Sequence, residues 1–191
     1  MTDLLTELFS SKIRAAVLGY LLPRPHVSRS LTDLSRLLDL PISSLQHECY
    51  KLVRIGVLRD RRDGSARRYS PEPASPLLPA LDALVRSVIG REAALRAALD
   101  DMPAVESAFL VDGVPPRLVL VGDLPLDELD AALERVATVL SRPSDQVELA
   151  FFRPADWRSR LEAGDPYLAT LLHEPPLALA GQDVMTPVVD M

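Results

Sequence analysis

The sequence predicts a mostly helical chain with α+β character, built in two parts. A helical N-terminal part ends in a β-hairpin, and a C-terminal part alternates helices with strands. Three observations predict this. Apolar residues recur at three- and four-residue spacing along most of the chain. An Asp63-Gly64 pair sits between two short strand-like runs, a strong local hairpin signal. The charge is also split unevenly. Residues 1–90 carry 13 Lys and Arg against 9 Asp and Glu, net +4, while residues 91–191 carry 8 against 18, net −10. Such asymmetry marks parts with different tasks.

Leu4, Leu5, Leu8, Phe9, Ile13, Val17, Leu18, Leu21 and Leu22 predict one amphipathic helix over residues 4–22, ended by Pro23. Ser30, three residues before Asp33, forms a capping-box pattern that starts a second helix with Leu34, Leu37 and Leu38. Residues 39–41 make a turn. A third helix runs over 43–55, with Gly56 suited to its C-terminal cap. Residues 57–62 and 66–70 form the arms of the hairpin. Helix, helix, turn, helix, hairpin is the order of a winged helix-turn-helix.

Pro71, Pro73, Pro76 and Pro79 stiffen the chain that follows. Leu77, Leu81, Leu84, Val85 and Val88 then restore helical spacing in a linker helix that ends near Gly90. Beyond it the pattern gives a helix at 91–101, strands at 105–111 and 118–121, and a helix at 126–140. A strand at 146–152, a helix at 155–163, a short helix at 167–172 and a strand at 177–180 complete it. The expected organisation is a winged helix-turn-helix at 1–75, a linker helix at 76–90, a small α/β domain at 91–181 and a loose tail at 182–191.

With 48% hydrophobic and 25% charged residues, the 191-residue chain has the profile of a folded protein. The apolar stretch at 15–22 is shorter than the about 20 residues that cross a bilayer, and it lacks the order of a signal peptide. The single cysteine, Cys49, permits no intrachain disulfide and fits a reducing compartment. A cytoplasmic location and no membrane partner are expected. Glycine-rich phosphate loops and metal-ligand spacings are missing from the sequence, and His26 and His173 stand isolated. No catalytic, cofactor or metal site is predicted.

The chemistry that does stand out is cationic. On a wheel of about 100° per residue, Leu45, Cys49, Leu52 and Val53 of the third helix share one face. Ser43, His47, Tyr50, Lys51 and Arg54 lie opposite, with Ser44 near the edge. A helix seated in a major groove needs this split between a docked apolar side and a polar side turned to bases and phosphates. Cys49 on the apolar face reads as a packed core thiol, and His47 points away from it, so the two do not pair on a metal. From Lys51 to Arg68 there are seven positive residues and two acids. Arg59, Arg61, Arg62, Arg67 and Arg68 flank the hairpin turn, where a wing would set them on the phosphate backbone or in the minor groove. Double-stranded DNA is the expected partner.

The segments Leu31-Thr32-Asp33-Leu34-Ser35-Arg36-Leu37-Leu38, Pro41-Ile42-Ser43-Ser44-Leu45 and Leu52-Val53-Arg54-Ile55-Gly56-Val57-Leu58, followed by a basic wing, resemble the ArsR-like winged helix-turn-helix regulators. The resemblance covers about the first 90 residues. It implies DNA binding as a homodimer on a two-fold operator.

The C-terminal part resembles a small nucleotidyltransferase-like domain. The carrying segments run from Leu99-Asp100-Asp101-Met102-Pro103 to Phe109-Leu110, through Leu118-Val119-Leu120-Val121-Gly122-Asp123 and Leu126-Asp127-Glu128-Leu129. Glu162-Ala163-Gly164-Asp165-Pro166-Tyr167-Leu168 and Pro176-Leu177-Ala178-Leu179-Ala180-Gly181 follow. The resemblance implies a Gly-Ser after the first strand and an Asp-x-Asp pair opening the second, to hold metal ions on a triphosphate. Here the first strand ends in Asp112-Gly113, the Asp-x-Asp positions fall on Pro115 and Arg117, and only Glu148 matches the third acid. A catalytically dead domain is expected, left to sense an unidentified small-molecule or protein effector, to dimerise, or to brace. Asp127, Asp130 and Glu134 form a solvated face of the 126–140 helix, whose buried face is Leu126, Leu129, Leu133, Val136 and Leu140. Trp157 and Tyr167 could line a pocket, although packing is the usual fate of a lone aromatic. Two other functions remain open on the sequence: a nucleotidyltransferase with atypical metal ligands, and an antitoxin-like protein-interaction module.

Overall fold

The computed structural model describes residues 2–173 and 175–181, so the tail expected at 182–191 lies outside the described residues. The chain divides into two compact units, residues 1–90 and 91–191.

The first unit begins with two helices where the sequence pattern predicts one. α1 spans Thr2–Phe9 and α2 spans Lys12–Leu21. Ser10 breaks the helix with a left-handed φ of 51°, and the Ser11 side chain accepts from the Arg14 backbone N–H at 3.2 Å. The hydroxyl thus satisfies a first-turn amide and starts a new helix. A two-residue strand β1 (Arg29–Ser30) precedes α3 (Leu31–Leu38), and α4 spans Ile42–Arg54. The predicted capping box is present, with Asp33 N–H donating to Ser30 Oγ at 3.1 Å and Ser30 N–H donating to Asp33 Oδ2 at 3.1 Å. Asp39 terminates α3 in the left-handed region, at φ 53°.

The hairpin consists of β2 (Leu58–Asp63) and β3 (Ala66–Pro71), joined through Gly64 at φ 59°. β1 lies antiparallel on the outer side of β3, giving sheet order β1-β3-β2. The sequence pattern does not predict this third strand. The last helix of the unit, α5 (Leu78–Ile89), sends Val85 into the same core as Leu18, Leu21, Leu34, Leu45 and Leu52. Two helices, a strand, two helices, a hairpin and a closing helix in this sheet order is a winged-helix arrangement.

The second unit opens with α6 (Arg91–Leu99), β4 (Val105–Val111) and β5 (Arg117–Gly122). Helix α7 (Leu126–Val139) crosses to β6 (Glu148–Phe152), which pairs parallel with β5. Helices α8 (Pro154–Glu162) and α9 (Pro166–Leu171) follow, and β7 (Leu177–Ala180) pairs antiparallel with β4. The sheet order is β6-β5-β4-β7. Because side chains alternate along a strand, β5 feeds two cores. Leu118 and Leu120 pack with Leu95, Leu129 and Val136 of α6 and α7, whereas Val119 and Val121 pack with Trp157, Leu168 and Leu171 of α8 and α9.

Trp157 is 1% exposed, stacked on Phe109 and edge-on to Phe152, so it packs rather than lines a pocket. The acidic face of α7 is exposed as expected. Of its predicted buried face, Leu129 and Val136 are buried and Leu133 and Leu140 half-buried, whereas Leu126, in the first turn, is 74% exposed. The chain is still entering the helix there, and Ala132 and Ala137 supply the buried contacts instead.

Gly122 closes β5 at a crowded point. A Cβ at this position would collide with the Ala104 carbonyl oxygen and the Leu124 side chain. Backbone cannot yield as a flexible side chain can, so Gly122→Ala should cost about 1–3 kcal/mol. Thermal unfolding of the full chain checks this, and an unchanged midpoint would contradict it.

Candidate nucleic-acid interface

α4 is positioned by an acid rather than by its leucines alone. Glu48 is 7% exposed, in a stripe with Leu45, Cys49 and Leu52. Arg14 of α2 donates to its Oε2 from Nε at 3.0 Å, and Lys51 donates to Oε1 from Nζ at 3.0 Å. Arg14 also donates from Nη1 to the Phe9 carbonyl oxygen at 3.2 Å, so one guanidinium ties together α1, α2 and α4. Burial opposes the Glu48 charge, but the hydrogen bonds from Lys51 and Arg14 outweigh it and hold the carboxyl below its ordinary value. Next to it, burial and the Glu48 charge push the Cys49 thiol up to about 12, which fits a packed, unreactive thiol.

The buried face expected from the apolar residues contains Val53 and not Glu48. Val53 stays half-buried against the core while Glu48 is buried, which on a wheel of about 100° per residue shifts the centre of the outward face toward Gln46. The observed open face is Ser43, Gln46, His47, Tyr50 and Arg54, with Tyr50 60% exposed. Ser44 and Lys51 move to the rim, half-buried, and the Lys51 charge is already engaged by Glu48. Gln46 is the residue of this face that the sequence pattern leaves out. At the start of α4, Pro41 offers no side-chain cap, which leaves the first-turn amides without that partner.

The five wing arginines separate into two groups. Arg67 Nε lies 3.1 Å from Asp60 Oδ2. Arg68 donates from Nε to Asp63 Oδ2 at 2.8 Å and from Nη1 to the Ser28 carbonyl oxygen at 3.3 Å. Its Nη1 also lies 3.8 Å from Asp33 Oδ2, the carboxylate of the α3 capping box. Arg59 donates from Nε to Ser70 Oγ at 3.2 Å. These three hold the hairpin to itself and to the body of the unit. The side chains of Arg61 and Arg62, both exposed, have neither ion pair nor hydrogen bond among the described residues, and that of Arg54 on α4 has none either. The register places Arg61 opposite Arg68 and Arg62 opposite Arg67, so like charges face each other across the wing.

In the second unit, Arg117 donates from Nε to Glu148 Oε2 at 2.7 Å, and its Nη2 meets the same oxygen. The Glu148 hydrogen bond raises the arginine's pKa still further. Asp112 is paired with Arg91 at 3.0 Å. Among the described residues, no three His, Cys, Asp or Glu side chains gather closely enough to hold a metal ion. An open cleft of about 420 Å³ lies beside Asp112, between Arg91, Pro116, Val139, Leu140 and Arg142. None of the described helices is long and apolar enough to cross a membrane.

Because the Glu48 pKa is lowered on folding, its contribution is complete above the ordinary value of 4.5 and is lost as pH falls through the lowered one. Denaturant unfolding from neutral pH into the acid range should therefore show a shallower acid limb in Glu48→Gln than in wild type. The substitution should also cost about 1–3 kcal/mol at neutral pH, where a charged acceptor is removed. Identical acid limbs would overturn the assignment.

No family model matches the chain, and no curated protein does. Three solved structures show a partial likeness. Reduced HlyU from Vibrio cholerae N16961 is 20% identical, covering 46% of this chain and 87% of its own, at a TM-score of 0.36. Rv0081 of M. tuberculosis is 29% identical, covering 50% and 92%, at 0.35. TrmBL2, an archaeal chromatin protein with a novel mode of DNA binding, is 14% identical, covering 89% and 76%, at 0.34. Likeness at such scores carries no weight for function, which has to rest on the residues of this chain.

Proposed function

We propose that the protein is a DNA-binding transcriptional regulator. In this reading α4 enters the major groove of duplex DNA and the β2–β3 wing lies on the adjacent phosphates. The observation that carries it is the pairing of an open polar face on α4 with three uncommitted arginines, Arg54, Arg61 and Arg62, on the same unit. A surface evolved only for solubility would be expected to mix its charges. Here the local acids are consumed by Arg67 and Arg68, and the remaining cations have no partner among the described residues. A polyanion supplies one.

Within this reading Ser43, His47, Tyr50 and Arg54 face the groove. Ser44 and Lys51 reach its rim. Arg61 and Arg62 meet phosphate, and Arg59, Arg67 and Arg68 keep the wing in shape. The second unit serves sensing, dimerisation or bracing without catalysis. Support comes from Arg117, which occupies Glu148 where a metal-binding acid would be needed.

We place the homodimer interface on α1 and α5. They pack together in the first unit and leave Leu4, Leu8, Leu77 and Leu84 exposed. Leu8→Glu should then convert a dimer to a monomer in sedimentation, and a variant that keeps the wild-type mass would exclude this surface.

Replacing Arg61 and Arg62 together by Ala should weaken binding to all duplex sequences. The slope of log affinity against log salt should flatten by about 0.9 for each phosphate that is no longer neutralised. Titration of a labelled duplex across a salt series measures both effects. A double variant that binds with wild-type affinity and slope would sink the wing's role.

A further inference from the structure

The residues on the open face of α4 differ in how finely they can discriminate. A serine hydroxyl both donates and accepts, so Ser43 suits any base edge. The His47 imidazole carries its two nitrogens on different edges of the ring and cannot engage both with one base. Tyr50 and Arg54 stand in the later turns, whereas the N-terminal part of a groove-bound helix is what meets base edges. Gln46 stands in the second turn of α4, exposed, and its amide has no hydrogen-bond partner among the described residues. A carboxamide presents one donor and one acceptor side by side in a plane. That matches the N7 acceptor and N6 donor of adenine in the major groove.

We propose that Gln46 is a specificity-determining residue that reads an adenine. Its Nε2 donates to N7 and its Oε1 accepts from N6, so each half of the recognised site carries an A·T pair at that position. This rests on the reading of α4 as a major-groove helix. The assignment depends on the burial of Glu48, because the face predicted from the apolar residues alone leaves Gln46 out.

The test uses the full chain and duplexes selected from a random pool by the wild-type protein. Each A·T pair of the selected site is exchanged for G·C and, separately, its adenine for 7-deazaadenine, which pairs normally but lacks N7. At one pair per half-site the G·C exchange should weaken wild type by about 5- to 150-fold, with a smaller drop for the deaza base. Gln46→Ala should be indifferent to both changes at that pair while keeping the wild-type salt slope. Gln46→Arg should shift the preference there to guanine. If Gln46→Ala keeps the wild-type discrimination at every pair, the assignment to Gln46 is overturned and the regulator reading stands. If wild type shows no salt-dependent affinity for any duplex, the regulator reading fails and this inference falls with it.

Discussion

One buried carboxylate joins Leu45, Cys49 and Leu52 in setting the rotation of α4 about its own axis. Glu48 sits inside the unit because Arg14 reaches it from α2 and Lys51 reaches it from the next turn of its own helix. A buried charge is tolerated only when it is paired and hydrogen-bonded, and removing one partner leaves the other stranded. Arg14 is in turn fixed by the break between α1 and α2, since it also binds the Phe9 carbonyl where α1 ends. The Ser10-Ser11 break, the Arg14 clamp and the facing of α4 therefore form one chain of cause. Which side chains are presented outward follows from it.

The wing handles its charges in the opposite way. Arg61 faces Arg68 and Arg62 faces Arg67 across the β2–β3 ladder, an arrangement that costs some tenths of a kcal/mol per pair when left uncompensated. Asp60 and Asp63 relieve the β3 partners and leave the β2 partners alone. A hairpin under selection for stability alone would place acids opposite those two positions. Local conflict of this sort tends to persist where function demands it.

Much of this is legible in the sequence, and the exceptions have definite causes. The Ser30–Asp33 capping box and the Asp-Gly hairpin are readable because their chemistry is local. The break at Ser10-Ser11 is hidden by leucine spacing that continues across it, although two adjacent serines are its signal. β1 is only two residues long, and nothing in Arg29-Ser30 marks a strand without β3 beside it. The polar face of α4 is found, but turned, because periodicity counts apolar residues and cannot foresee that a glutamate will be buried by an arginine 34 positions away. For the same reason Gln46 escapes notice, and Lys51 reads as free when Glu48 already holds it. All five wing arginines stand out by composition. Only the register separates those that hold the wing from those left open.

In the proposed reading affinity and selectivity fall on different elements of the first unit, and their physics differs. Arg61 and Arg62 act as charges, so whatever they contribute comes from released counterions and declines with salt. Gln46 is neutral and contributes geometry, which salt leaves almost untouched. A regulator needs both, because phosphate contacts fix register without carrying sequence and base contacts carry sequence without much reach. On that reading the net −10 of residues 91–191 fits the division: so acidic a segment repels a duplex, which leaves α4 and the wing, within the net +4 of residues 1–90, to meet it. A neutral second unit would allow non-specific contact elsewhere, and the salt dependence of binding would then no longer report on the wing alone.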